Sequence, residues 1–272
     1  MNCYADLTTL KRRLSITGTG DDTDLLQLLN AASKAMNLYT DRFFYCDETT
    51  RYYDGTASPI LLDDLLSVTT FKLDEDGDGT FESTMATTDY LLYPLNEYPK
   101  LYAKISNDSD YGGFASGIRK GVEIAGVFGF GDGQSSTPYV SSGDTVQDDP
   151  LSSSATTIDV TDGDNFAEGQ TLRIESEQVY VSSISTNTLT VSRGVNGTTA
   201  AEHVQTTAIS IYQYPEDIAE ATIIQAARLW KRKDTAFGNM TGFTDIGTAK
   251  KVHGLDQDVK QIVLRYKRRT IR

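Results

Sequence analysis

One segment close to the C-terminal end, residues 215–238, limits the possible folds because it marks both ends of a helix. Pro215 suits a first helical turn, because the backbone N–H that proline lacks would have no intrahelical partner at that position. Acidic residues follow it directly and basic residues close the segment, which complements the helix dipole. An apolar stripe at helical spacing runs between them and contains the single tryptophan, Trp230. The segment therefore predicts an amphipathic helix over 215–233 that packs against other helices.

The partners of that helix are predicted at the two ends of the chain. Apolar spacing predicts helices over 5–14 and 23–40 near the N-terminus, and the second has the longest i, i+3, i+4, i+7 pattern in the sequence. A last helix is predicted over 255–270. Together these segments predict a small helical bundle with a core of Leu25, Leu28, Leu29, Ile223, Ala227 and Trp230.

The region between the helices has strand signals. Short β-branched and aromatic runs within 48–134, punctuated by Gly and Pro, predict an antiparallel β-module. Residues 131–154 have the composition of a linker, and a second set of strand runs follows up to residue 212. The predicted fold is therefore α+β. We expect a discontinuous core, residues 1–136 and 214–272, interrupted by a small inserted β-domain over 137–213.

The net charge of −13 is unevenly distributed. From residue 220 to the end there are twelve basic and five acidic residues, a net +7, so the preceding residues carry −20. So acidic a body does not hold nucleic acid through its phosphates. The basic end has three interpretations: docking on an acidic protein surface, contact with phosphates with Tyr266 available for stacking, or simple complementation of a helix dipole.

Other classes of protein find little support in the sequence. No apolar run has the length of a membrane span, and the N-terminal residues do not resemble a signal peptide. Cys3 and Cys46 lack metal-like spacing and are expected to be reduced thiols. His203 and His253 lie in polar segments, are expected at the surface, and accompany no nucleophile motif. We therefore predict no catalytic residues, no enzymatic activity and, apart from the site considered next, no cofactor.

An acidic motif over 74–82 resembles a metal-binding site more than any other segment of the sequence. Asp74, Asp76 and Asp78 stand at alternate positions, followed by glycine and then Glu82, in the pattern of the first part of a calcium loop. The twelfth position of that pattern is Met85 instead of glutamate, and the flanks have strand signals. Two interpretations therefore stay open, a calcium site and an acidic hairpin tip built on Asp-Gly turns.

Short segments in a fixed order lie outside 137–213: YADL at 4–7, TRYYDG at 50–55, DYLLYP at 89–94, PEDI at 215–218, AARLWKRKD at 226–234 and YKRR at 266–269. With residues 21–33, 65–69, 74–82 and 256–259, they resemble the head–tail connector (adaptor, or head-completion) proteins of long-tailed bacteriophages. The resemblance implies a helical bundle with attached β-structure, in a structural ring that joins the portal to the stopper or tail proteins.

The same resemblance implies that the ring follows the dodecameric symmetry of the portal and that DNA passes through its lumen. The protein would then be a virion component of the neck, assembled in the host cytoplasm. The portal-docking residues implied are Tyr266, Lys267, Arg268, Arg269 and Arg272. The inserted residues 137–213 depart from the family pattern. They leave an alternative function, a module that binds a glycan or another surface ligand, with Tyr180 or Tyr212 for ring stacking and no tryptophan.

Overall fold

The computed structural model describes residues 2–235, 240–242, 249–251 and 254–268. Helices and two six-stranded antiparallel sheets are present in this part of the chain, which confirms the α+β prediction. None of the described helices has the length and apolarity needed to cross a bilayer.

Four α-helices form the bundle: α1 (Leu7–Leu14), α2 (Asp22–Thr40), α3 (Glu216–Lys231) and α4 (Gln257–Leu264). Asp6 caps α1, because its side chain accepts the Thr9 N–H at 2.7 Å. Pro215 stands at the N-cap of α3, and the acidic first turn and basic last turn are where the sequence puts them. The other three helices all pack against α3.

Helix α4 ends six residues before the end predicted for it. The N–H groups of Tyr266 and Lys267 turn back to carbonyls three residues earlier, and the Arg268 N–H donates to the Thr40 carbonyl oxygen at 2.8 Å. Thr40 is the last residue of α2. The backbone N–H of Arg268 therefore bonds to helix α2, and the intrahelical hydrogen bonds of α4 do not continue to this residue.

The first sheet contains β1 (Asp47–Tyr53), β2 (Ile60–Leu73), β3 (Ser83–Thr84), β4 (Tyr90–Tyr93), β5 (Lys100–Ile105) and β6 (Val122–Phe128). The strand order is β1-β6-β2-β5-β4, and β3 pairs with the end of β2. Alternate residues of β6 are buried, as the period of two predicts. Phe71 is at the centre of the covered face, with its ring centroid 4.9 Å from that of Tyr90 and 5.4 Å from that of Phe114.

The second sheet contains β7 (Tyr139–Thr145), β8 (Thr157–Asp159), β9 (Thr171–Ile174), β10 (Glu177–Ser185), β11 (Thr188–Ser192) and β12 (Ala208–Tyr212). Its order is β7-β12-β9-β10-β11-β8. A bridge between Val146 and Val160 joins the ends of the two outer strands, β7 and β8. The sheet encloses an aliphatic core of its own, which includes Leu172, Val179 and Ile209.

The prediction of a linker over 131–154 is wrong for residues 139–145, which form strand β7. The β7 sequence YVSSGDT is polar and does not alternate, but β12 pairs with it on both sides of a bulge at Ser142 and Gly143. A further pair of short strands, β13 (Met240–Gly242) and β14 (Ala249–Lys251), follows α3.

The described residues divide into two compact units. One contains the four helices and the second sheet. The other contains Phe44–Pro138, with the first sheet, and the short segment Asn196–Thr198. The division into units does not test whether residues 137–213 fold independently. The inserted domain therefore stays a prediction.

Candidate functional site

The acidic loop is the tip of a hairpin. Leu73 pairs with Ser83, so residues 74–82 connect β2 to β3. The buried carboxylate of Asp74 accepts the N–H groups of Gly77 at 2.6 Å and Gly79 at 2.9 Å. Both glycines have positive φ, 81° and 91°, which a side chain would oppose. The hairpin therefore folds its loop around the first carboxylate of the motif.

The four acidic residues of the motif converge at this tip. Asp74, Asp76, Asp78 and Glu82 each offer a carboxylate oxygen, and these atoms all lie within 4.8 Å of one another. Carboxylate oxygens are the ligands that calcium prefers. In the described part of the chain, no lysine or arginine pairs with any of them. Met85, at the twelfth position, is 4% exposed and donates its N–H to the Phe71 carbonyl, so it belongs to the core.

The predicted helical core residues lie together in one cluster. Leu25, Leu29, Ile223 and Trp230 are buried in it, and Trp230 is 8% exposed. Leu28 and Ala227 are partly buried and pack against its edge. The cluster also contains Tyr180 from the second sheet, which the helical stripes alone could not have indicated.

The start of the basic C-terminal end is attached to the bundle. Asp217, in the first turn of α3, forms an ion pair of 3.0 Å with Arg265, and its carboxylate lies 3.5 Å from the Tyr266 hydroxyl. Burial, and then the Asp217 carboxylate, raise the pKa of Tyr266. The Lys267 ammonium is exposed and lies 5.9 Å from the Tyr39 ring centroid. Among the portal-docking candidates, Arg269 and Arg272 lie outside the described residues.

The second sheet contains a buried ionic cluster that the sequence did not reveal. Glu177, Arg193 and His203 have side chains that are 0%, 6% and 1% exposed. Arg193 donates from Nε and Nη2 to the two oxygens of Glu177 at 2.6 and 2.7 Å. The His203 ring lies between Glu177 and Glu175, at 2.9 Å from a carboxylate oxygen of each.

The surface position predicted for His203 is therefore wrong. The hairpin of β9 and β10 presents two glutamates two residues apart, and the imidazole fills the space between them. One signal was available: residues 137–213 contain ten acids and only two bases, so a base buried there has to pair with an acid. His253, the other histidine, lies outside the described residues.

Hydrogen bonds fix the charge of Glu177. Burial alone raises the pKa of this carboxyl, but bonds from Arg193, the Ala201 N–H and His203 outweigh burial and lower the pKa to about 2. The Gly194 N–H adds a bond of 3.0 Å. The cluster thus fastens both ends of the loop 193–203 to β10. Buried, mutually paired charges of this kind are typical of a structural cluster.

A cavity of about 270 Å³ lies between the start of α1, the end of β12 and α3. Its lining includes Cys3, Asp6, Tyr212, Tyr214 and Glu216. The Cys3 sulfur lies 3.4 Å from the hydroxyl of Tyr180, and burial raises the pKa of the thiol. Because the thiolate is the nucleophilic form, Cys3 is not an activated nucleophile.

No family model matches this sequence, and no curated protein is similar to it. Among solved structures, a chain of the neck of an empty GTA particle, computed with C6 symmetry, is similar to this chain, with 14% sequence identity and a TM-score of 0.38. The match covers 98% of this chain and 91% of that chain. A TM-score of this size does not show a shared fold, so the function proposed below rests on the residues of this chain.

Proposed function

We propose that this protein is a structural adaptor of a phage-type head–tail junction, which forms a ring between the portal and the stopper or tail-terminator protein. The division of charge supports this role most directly. The net charge is +7 from residue 220 onward and −20 before it. The C-terminal part of the chain thus suits an acidic protein partner, and the residues before it repel nucleic acid.

The basic end is the portal-docking segment of this proposal. It comprises Tyr266, Lys267, Arg268, Arg269 and Arg272. The Arg265–Asp217 ion pair and the bond from the Arg268 N–H to α2 hold its beginning against the bundle. A segment anchored at its base loses less conformational freedom when its tip binds, so more of the contact energy is left for affinity.

The acidic body suits a lumen through which DNA moves. Phosphates that meet carboxylates are repelled, so the duplex slides without specific binding. The ring is expected to be dodecameric, to be part of the virion at the head–tail junction, and to assemble in the host cytoplasm. Catalysis has no part in this function.

Co-assembly with the portal tests the proposal. Native mass spectrometry and electron microscopy of the two purified proteins should show a ring on the portal. Deletion of 269–272, which keeps the Arg268 N–H bond to α2, should abolish docking without lowering the melting temperature. Lys34→Glu, a charge reversal at an exposed position of α2, is the matched control and should dock normally. A chain that stays monomeric and has no affinity for the portal overturns the adaptor function.

The alternative of a glycan-binding module loses its stacking residues in the structure. Tyr180 is 3% exposed and Tyr212 is 5% exposed, so neither ring can stack on a sugar. For the acidic loop, a calcium site and a hairpin tip alone stay the two interpretations, and a titration described in the Discussion decides between them.

A further inference from the structure

We infer that one outer face of the first sheet binds an acidic surface, formed by two loops of the second sheet, in the next copy of this chain. This inference rests on the ring of the proposed function and assigns the surfaces through which its copies meet. The first surface, called here the tyrosine face, consists of Leu61, Leu91, Tyr93, Tyr102 and Lys104.

Strand pairing brings the tyrosine face together. Tyr93 on β4 is directly opposite Tyr102 on β5, which is opposite Leu61 on β2. Leu91 and Lys104 form the next pair along β4 and β5. The two tyrosine rings are parallel, with centroids 5.1 Å apart. Leu61 is 49% exposed and Leu91 is 44% exposed, so apolar area stands open beside the ring pair.

The tyrosine face also carries an uncompensated positive charge. The Lys104 ammonium lies 5.3 Å from the Tyr93 ring centroid and 5.8 Å from that of Tyr102. In the described part of the chain no carboxylate pairs with Lys104. Strand β4 is at the edge of its sheet, with β5 as its hydrogen-bonded neighbour. An apolar face around a lysine is complementary to a partner surface that is apolar and acidic. A protein of net charge −13 can itself supply such a surface.

The neighbouring loop is held in place for such a contact. Lys100 is 6% exposed, and its ammonium donates to the carbonyl oxygens of Pro94, Leu95 and Glu97 at 2.7, 2.9 and 2.8 Å. This fixes the loop between β4 and β5 and leaves Leu95, 57% exposed, at its tip. Preorganisation of this kind lowers the entropy lost on association.

Two loops, one between β7 and β8 and one between β11 and β12, present a matching surface. It is called here the acidic rim and consists of Asp149, Pro150, Glu202 and Val204. A bridge between Leu151 and His203 brings its two segments side by side. Val204 is 68% exposed, and no base in the described residues pairs with Asp149 or Glu202. The rim thus offers exposed apolar surface next to two carboxylates, which complements the tyrosine face in both respects.

The occupant of the tyrosine face is therefore a second copy of this chain. Two different surfaces of one chain meet in this contact, so it is heterologous. A heterologous contact generates a closed ring when the rotation between neighbours divides a full turn. Each copy then uses its face on one neighbour and its rim on the other.

A charge-swap series tests the inference on the full chain, by native mass spectrometry and light scattering with and without portal. Lys104→Glu places a negative charge against the acidic rim and should weaken association roughly 100-fold, since like charges at an interface repel strongly. Asp149→Lys with Glu202→Lys should do the same. The triple variant, which swaps both surfaces, should assemble again. Lys120→Glu, which removes another exposed lysine above a tyrosine ring, is the matched control and should leave assembly unchanged.

The outcomes separate the inference from the proposed function. Rings of wild type and of Lys104→Glu with equal stability overturn the surface assignment and leave the adaptor function standing. Failure of the triple variant to recover also overturns the pairing of face and rim. A wild-type chain that forms no ring with or without portal overturns both. Circular dichroism melting of each variant confirms that an effect on assembly is not a loss of fold.

Discussion

The buried cluster of the second sheet makes a sharp prediction about acid sensitivity. In Glu177→Gln the side chain keeps its shape but loses the charge that faces Arg193 and His203. The buried guanidinium then lacks its counter-ion. Removing one partner of a buried ion pair costs about 3–5 kcal/mol. We therefore expect the free energy of unfolding at pH 7 to fall by about that amount.

The pH dependence gives an independent magnitude. The pKa of Glu177 is lowered from 4.5 to about 2 in the folded protein. One pKa unit corresponds to about 1.36 kcal/mol, so the lowering contributes roughly 3 kcal/mol. Because the folded pKa is the lower one, this stability is complete above pH 4.5 and is lost as the pH falls toward 2. Asp144 adds a second acid-sensitive contribution. Burial raises the pKa of this carboxyl, but hydrogen bonds from the N–H groups of Thr161, Thr145 and Asp162 outweigh burial and lower the pKa to about 2.

Urea unfolding by circular dichroism at pH 7, 4.5 and 3, with hydrogen exchange of amides 177–185, measures both effects. The wild type should lose stability between pH 4.5 and 3 more steeply than Glu177→Gln, which retains only the Asp144 contribution. Asp108→Asn, at an exposed position, is the control and should change stability by less than about 0.5 kcal/mol. A cost below about 1 kcal/mol at pH 7, or equal acid slopes in both proteins, would refute a charged and enclosed Glu177.

Other predictions concern the remaining elements. Trp230→Ala should lower the free energy of unfolding by roughly 3–5 kcal/mol in urea denaturation, because the indole is only 8% exposed. If the acidic loop is a calcium site, calcium should raise the melting temperature of the wild type and not that of Asp78→Asn, since a ligand of the native state stabilises it. Lys100→Met should cost about 1.5–3 kcal/mol and increase hydrogen exchange in the β4–β5 loop, because three carbonyls lose a charged donor. Deletion of 137–213 should leave a helical chain by circular dichroism, weakened by the loss of Tyr180 from its core.

Each of these has a contrary outcome. A small cost at Trp230 would mean that its stripe faces a neighbouring copy. Equal melting temperatures with calcium and with EDTA would leave the acidic loop as a hairpin tip alone. Lys120→Met, at an exposed lysine outside this loop, is the matched control for Lys100, and an equal effect of both would remove the loop-holding role. Loss of all helical signal after deletion of 137–213 would refute the predicted insertion.

Periodicity was sufficient to predict the helices α1, α2 and α3 and several of the strands. The strands β4, β6, β11 and β12 begin and end where their apolar patterns do. The helix α3 lies within one to two residues of its predicted limits, because proline and charge mark both of its ends. Convergence of the acidic motif at one point also follows from its spacing. In each case the signal is local, and the backbone conformation is decided by nearby residues.

The missed features depend on residues far apart in the sequence. Strand β7 exists because β12, some seventy residues later, pairs with it. The end of α4 depends on a carbonyl of Thr40. The burial of His203 requires the register of β9 on β10 to place two glutamates around it. The tyrosine face likewise needs the pairing of β4, β5 and β2, which no single strand pattern specifies.

The joining of β7 to β8 has a consequence for how the protein survives before it assembles. An open sheet edge is a template on which other chains add strands and aggregate. The Val146–Val160 bridge and the bond from the Gln147 N–H to the Asp159 carbonyl close the second sheet at this point. Asp144 holds the same junction by accepting the N–H groups of Thr161 and Asp162. A chain made in many copies can thus stay dispersed at high concentration. Because the pKa of Asp144 is lowered to about 2, only strong acid protonates this carboxylate, and under those conditions the edges would open and fibrous aggregation would follow.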